Sequence, residues 1–260
     1  MKNILVVITT AFVPTGGLTT VMMNYYRMMN KEEVKIDFAS TNNPPQVLLD
    51  EIHASGSEYY QLSDRKNVLA YFFALKKLCR GYDGMHVHAN SAMAVMELQA
   101  AIWAGIKIRI IHNHSSRSQH NLLNQLFLSL YRRSFTQAVA CSDEAGEWLY
   151  GKNGFITLRN AINAKRFKFD VVKRLIMRHN FGFGDDEYVI GHIGKFMEAK
   201  NHPFLIEVFT KYHALQPKSK LLLIGDGELR HLVEAAIDKN KVNDCVILAG
   251  LRSDISDVLQ

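Results

Sequence analysis

Cysteine is scarce in this chain: Cys79, Cys141 and Cys245 lie far apart, and no C-x-x-C pair occurs. That spacing excludes a disulfide framework and a thiolate zinc site, and it fits a reducing compartment. Long apolar runs are missing as well. The longest, Val68–Leu75, has eight residues, against the roughly 20 that a membrane-spanning helix needs. The opening run Ile4–Ile8 is shorter than the core of a signal peptide, which takes about 7–15 residues. It reads as a strand, and a cytoplasmic location is expected. Sixteen glycines and five prolines are too few for low-complexity or collagen-like architecture. Neither H-E-x-x-H nor a Walker A sequence is found, which removes the commonest zinc-protease and P-loop readings.

What is present is ample core material. Of 260 residues, 48% are hydrophobic and 22% charged, enough for one large or two small domains. The net charge of +6 is uneven. Residues 1–165 hold 17 Lys+Arg against 12 Asp+Glu, whereas residues 166–260 hold 14 against 13. A basic first part suggests an anionic partner, and a merely solvated basic face is the plain alternative. No basic stripe with interleaved aromatics is seen, so nucleic acid is not expected as a partner.

Short β-rich runs alternate with helical segments from Ile4 to Tyr150. That alternation predicts a parallel sheet with helices on both faces, whose ligands bind beyond the carboxyl ends of the strands. Gly105 is expected to end a helix and Ser142 to cap one. The alternation breaks between about Phe155 and Glu187 and restarts at Tyr188. The predicted division is residues 1–165 as a first Rossmann-like domain, 166–186 as a linker and 187–260 as a second, three-stranded and incomplete domain.

Five constellations sit at predicted strand ends. Pro14-Thr15-Gly16-Gly17 precedes a helix whose N-terminal N–H groups suit an anion; a ligand-free tight turn is the alternative. His86-Val87-His88 and His112-Asn113-His114 place paired rings on one strand face each. Two such pairs could hold a metal, but a single acid–base or positioning histidine is favoured, and no metal is assigned. Gly194-Lys195…Lys200-Asn201 puts two cations near a helix start, a setting for a diphosphate. Gly225-Asp226-Gly227-Glu228 and Gly250-Leu251-Arg252-Ser253-Asp254 are further strand–glycine–helix turns, the last leading into a capped helix that begins at Asp254.

In this order, and with the junction Asn160-Ala161-Ile162 between them, the motifs resemble the retaining glycosyltransferases of family 4, also called group 1. The resemblance is most specific over Gly191–Ile255. It implies a GT-B arrangement of two Rossmann-like parallel-sheet domains, and sugar transfer with retention from a UDP- or GDP-linked sugar without a cofactor or metal. It places Gly16 and Gly17 against the donor phosphates and makes His114 the active-site histidine. Gly194, Lys195 and Lys200 would bind the diphosphate. Gly225, Asp226 and Gly227 would shape the nucleotide pocket, with Leu251 and Arg252 on the base and ribose side.

The family's motif of two glutamates eight positions apart is not found in this sequence. A C-terminally truncated, poorly active form is therefore expected. The acceptor implied is a glycan or lipid-linked molecule of cell-surface polysaccharide synthesis. A peripheral contact with an anionic inner membrane face is a further expectation, for which Val21–Met29, apolar nearly all round, is the candidate segment. Its alternative is core burial. The competing functional readings are a sugar-nucleotide 2-epimerase and a non-catalytic nucleotide-sugar-binding fragment.

Overall fold

Each β-rich run becomes a strand of a parallel sheet, and each intervening segment a helix laid against it. The computed structural model describes residues 1–14, 16–117 and 121–260. Two compact units result, Met1–Ile162 and Asn163–Gln260.

The first unit runs β1 (Lys2–Ile8), α1 (Gly17–Met28), β2 (Val34–Ser40), α2 (Gln46–Ala54), β3 (Tyr59–Gln61), α3 (Val68–Cys79), β4 (Gly84–Ala89), α4 (Val95–Ala104), β5 (Ile108–Asn113), α5 (Asn121–Ser134), β6 (Gln137–Ala140), α6 (Asp143–Tyr150) and β7 (Phe155–Thr157). These strands form one sheet in the order β3-β2-β1-β4-β5-β6-β7. Every pair is parallel. The chain winds outward from β1 through β2 to β3, then crosses back to β4. The order therefore reverses between β1 and β4, the switch point at which doubly wound sheets take their ligands.

Strand alternation divides the core. Leu5 and Val7 of β1 pack with Tyr71, Leu75 and Leu98 of α3 and α4. Val6 and Ile8 pack on the other face with Met22, Met23 and Tyr26 of α1. Both faces are covered, so β1 reads as an unbroken apolar run, and each fully buried side chain contributes about 1.5–3 kcal/mol. The same packing uses part of Val21–Met29. Met22, Met23 and Tyr26 are core, which accounts for one face of α1, whereas Met28 and Met29 at its end are exposed. Gly105 ends α4 in the left-handed region at φ 85°, and the Ser142 side chain accepts from the Ala145 N–H at the start of α6.

The second unit holds α7 (Val171–Phe181), β8 (Tyr188–Ile193), α8 (His202–Leu215), β9 (Ser219–Ile224), α9 (Arg230–Asn240), β10 (Val246–Gly250) and α10 (Ile255–Val258). Its parallel sheet has the order β10-β9-β8. The central strand, β9, buries Leu221, Leu222, Leu223 and Ile224. The segment read as a linker contains α7, capped by the Asp170 carboxylate, which accepts from the Val172 and Lys173 N–H groups. Lys173 pairs with Asp257 at 2.6 Å, which ties α7 to α10.

Candidate functional site

At the carboxyl edge of the first sheet, the loop after β1 leads into α1 through Gly16. The Gly16 N–H donates to the Val13 carbonyl at 2.9 Å, and the Gly16 carbonyl accepts from the Thr20 N–H. A Cβ on Gly16 would lie 3.1 Å from the Val13 oxygen, whereas Gly17 faces open space. Among the described residues no side chain caps the helix, and its first turn has no acidic residue, so its leading N–H groups can face an anion. Thr15 of this loop lies outside the described residues.

Beside it stands a group of four histidines. The parallel register sets His88 opposite His112, so the two H-x-H pairs, which spacing alone left separate, become one cluster. His114 lies just past β5, where its N–H donates to the Ala89 carbonyl at 3.2 Å. Its Nε2 is 2.9 Å from His88 Nδ1, and its ring stacks on His112 at 4.2 Å. Burial, helped by the neighbouring rings, drives His88 far below the ordinary histidine range. It pushes His112 down to about 2 and His86 to about 4. Burial alone takes His114 to about 4. At neutral pH all four rings are uncharged, so each offers one N–H and one lone pair. His114 is thereby fit to hydrogen-bond a hydroxyl as a neutral ring, not to act as a fixed cation, and its lowered pKa makes it a weak base.

Asn113 was not singled out from the sequence, yet it shapes this edge. It is buried, and its side-chain amide donates to the Ser115 and Ala145 carbonyls, both at 2.7 Å. These bonds hold the turn that carries His114. A polar residue between two histidines was the available signal, but its partner on α6 is 32 positions away.

In the second unit three loops meet at the carboxyl edge and are stitched by backbone bonds. The Gly194 N–H donates to the Ile224 carbonyl, Phe196 N–H to Asp226, and Gly225 N–H to Gly250, all at 2.9–3.0 Å. The glycines permit this closeness. A Cβ on Gly225 (φ 145°) would sit 2.0 Å from the Gly194 oxygen, and one on Gly227 2.4 Å from the Phe196 oxygen. The Asp226 carboxylate accepts from the Gly227 N–H at 2.8 Å and lies 3.6 Å from Arg230, so it braces the turn.

The cations of this edge differ in how they are held. Lys195 is exposed and 4.0 Å from Glu228, a pairing too loose and wet to immobilise it. Lys200 is exposed; its stem lies over Gly194, and it forms no ion pair with the described residues. Its charge, after burial, is the second cause that lowers the pKa of His192. Arg252 is already engaged, in a two-pronged pair with Asp254 at 2.8 and 2.5 Å, 5.3 Å from the Phe181 ring. Asp254 thus binds Arg252 and does not cap α10, whose N-terminus has no side-chain cap; this corrects the sequence reading. Leu251 is exposed. The structure gathers Gly194, Gly225, Asp226 and Gly227 at one edge, with Lys195, Lys200, Leu251 and Arg252 on the same three loops.

The fold defines a class: two parallel α/β units, each with these groups on loops at its strand ends, as in the GT-B fold. Comparison with known proteins narrows it. Residues 173–260 match the family model described as glycosyl transferases group 1, as the motif order of the second unit led us to expect. The Bacillus subtilis protein EpsF, which carries a glycosyltransferase name, is 26% identical over 262 residues, spanning 94% of this chain and 68% of EpsF. The N-acetyl-alpha-D-glucosaminyl L-malate synthase of Bacillus anthracis is 21% identical, over 96% of this chain and 69% of that enzyme. The crystal structure of Anabaena Alr3699/HepE in complex with UDP and glucose superposes with a TM-score of 0.81 at 16% identity. It covers 99% of this chain and 72% of that one.

Proposed function

We propose that this chain is a glycosyltransferase that moves a sugar, with retention, from a UDP- or GDP-linked donor to a glycan or lipid-linked acceptor in cell-surface polysaccharide synthesis. One observation carries the reading: the stitched glycine edge of the second unit, inside the matched residues, presents Lys195 and Lys200 without a tight ion-pair partner among the described residues. A nucleoside diphosphate leaving group gathers charge as the glycosidic bond breaks. Cations and backbone N–H groups aimed at it lower the barrier, and removing one such donor typically costs about 10²–10³ in rate. In the first unit neutral His114 takes the sugar-side role, and the helix start at Gly16 and Gly17 is open to an anionic group. In the second unit Lys195, Lys200 and the glycine-loop N–H groups take the diphosphate, a reading that calls for no metal.

Calorimetry on the 260-residue chain tests the donor site. UDP or GDP is expected to bind in the presence of EDTA, and Lys200→Ala to weaken it about tenfold or more, the loss of one charge-assisted contact. Equal affinity of wild type and variant would remove Lys200 from the site. Retention is read from the anomeric configuration of the product by NMR.

The membrane contact we propose is made by α5. Leu122, Leu126 and Leu130 form an exposed stripe at helical spacing, with Leu122 84% and Leu126 71% exposed. Arg132 and Arg133 follow in the last turn. An apolar stripe ending in cations suits an anionic bilayer surface, where a lipid-linked acceptor resides.

A further inference from the structure

The histidine cluster of the first unit has properties that sugar transfer does not require. We propose that His86, His88 and His112 bind one divalent transition-metal ion of the zinc, cobalt or nickel kind, with His114 orienting His88. The inference concerns the first unit alone and does not rest on the donor reading above.

The geometry is the first argument. His86, His88 and His112 each offer a ring nitrogen, and these three atoms lie within 4.8 Å of one another. The His86 and His112 rings are nearly parallel, 2° apart and 5.6 Å between centres. His88 lies 4.3 and 5.0 Å from them. Zinc–nitrogen bonds of about 2.0–2.1 Å put tetrahedral ligands roughly 3.3 Å apart. The widest pair therefore has to close by no more than about 1.5 Å, within reach of ring rotation.

His112 is 1% exposed, yet among the described residues neither of its nitrogens has a hydrogen-bond partner, and His86 Nε2 is in the same state. Buried polar atoms are nearly always paired; a metal would engage the lone pairs of both rings. His88 adds the outer partner that ligand imidazoles commonly have. Its Nδ1 meets His114 Nε2 at 2.9 Å; when His88 donates from Nδ1, its Nε2 lone pair is left for the ion. The donor set is entirely imidazole, which suits zinc, nickel or copper and not magnesium or calcium. Bound there, the ion would pin β4 to β5 at the switch edge and fix the tautomer of His88 against His114.

Cobalt titration of the full chain in chelator-treated buffer tests this. The expected result is uptake of one Co²⁺ per chain with visible ligand-field absorption, displaced by an equal amount of Zn²⁺. His86→Asn and His112→Gln should each weaken uptake at least tenfold, and His114→Gln about 10–100-fold as an outer partner. Far-UV circular dichroism and thermal melting establish that each variant folds. If the buried His112→Gln chain does not fold, the half-buried His86→Asn variant carries the test: metal should raise the melting temperature of the wild type and not of this variant. Absence of uptake by the wild-type chain would overturn the proposal. So would uptake unchanged by His86→Asn, which marks adventitious binding to surface histidines.

Discussion

A methyl group at position 225 has no room. Its carbon would fall 2.0 Å from the Gly194 carbonyl oxygen, at a backbone φ of 145° that side chains disfavour. Steric overlap and backbone strain add, so Gly225→Ala should cost at least about 2 kcal/mol, read as a lowered urea midpoint. The glycine loops were visible in the sequence as places where backbone comes close, but what comes close is a neighbouring loop of the same sheet, which no local pattern announces. Lys200 offers a second residue-scale test. Burial first, and Lys200 next, lower the pKa of His192 below its ordinary 6.5. His202 is lowered by burial, then by His192 and Lys200. A histidine lowered in the fold is protonated more readily in the unfolded chain. Its stabilising contribution is therefore complete above about pH 6.5 and is lost as pH falls below that value. Lys200→Ala should move both titrations upward, toward 6.5, in an imidazole Cε1–H NMR titration. Unmoved curves would show that the lysine charge does not reach these rings.

At the scale of elements, most strands and helices were legible, because buried parallel strands require continuous apolar runs and some helices carry readable start and stop residues, such as Ser142 and Gly105. Pairing register was not legible. Whether His88 lies opposite His112 depends on how β4 aligns with β5, and nothing within either strand states that alignment. The same limit hid the link between the loop before α3 and α4. Glu97 of α4 is fully buried, 2.9 Å from Arg65 and 2.9 Å from the Tyr71 hydroxyl that donates to it. In a sequence, a glutamate in a helix reads as a solvated charge. Here it joins two helices through one cation and one phenol. Arg65→Ala would leave the carboxylate buried without its counter-ion, and a loss of about 3 kcal/mol is expected. Glu97→Gln keeps a carbonyl for Tyr71 and should cost less. Urea unfolding of the two variants checks the order, and a smaller loss for Arg65→Ala would show that solvent, not the ion pair, screens Glu97.

For the whole molecule, charge and exposed apolar surface make one joint prediction. Residues 1–165 carry 17 Lys+Arg against 12 Asp+Glu, and the α5 stripe of Leu122, Leu126 and Leu130 belongs to that part. Attraction to an anionic surface would act over a Debye length of about 10 Å at 0.1 M salt and about 3 Å at 1 M, while the leucines supply the part that salt does not screen. The chain should co-sediment with anionic vesicles at low salt, less at high salt, and weakly with neutral ones. Arg133 is the cleaner charge to remove, because Arg132 donates to the Leu149 carbonyl at 3.0 Å and has a structural task. Arg133→Ala should reduce low-salt binding about fivefold, the worth of one interfacial cation, and leave the high-salt remainder unchanged. Leu122→Glu with Leu126→Glu should abolish both parts, and since both leucines are exposed the fold should tolerate the change. Sedimentation of that double variant equal to the wild type would mean that α5 is not the membrane face and that basic charge alone draws the protein to the vesicles.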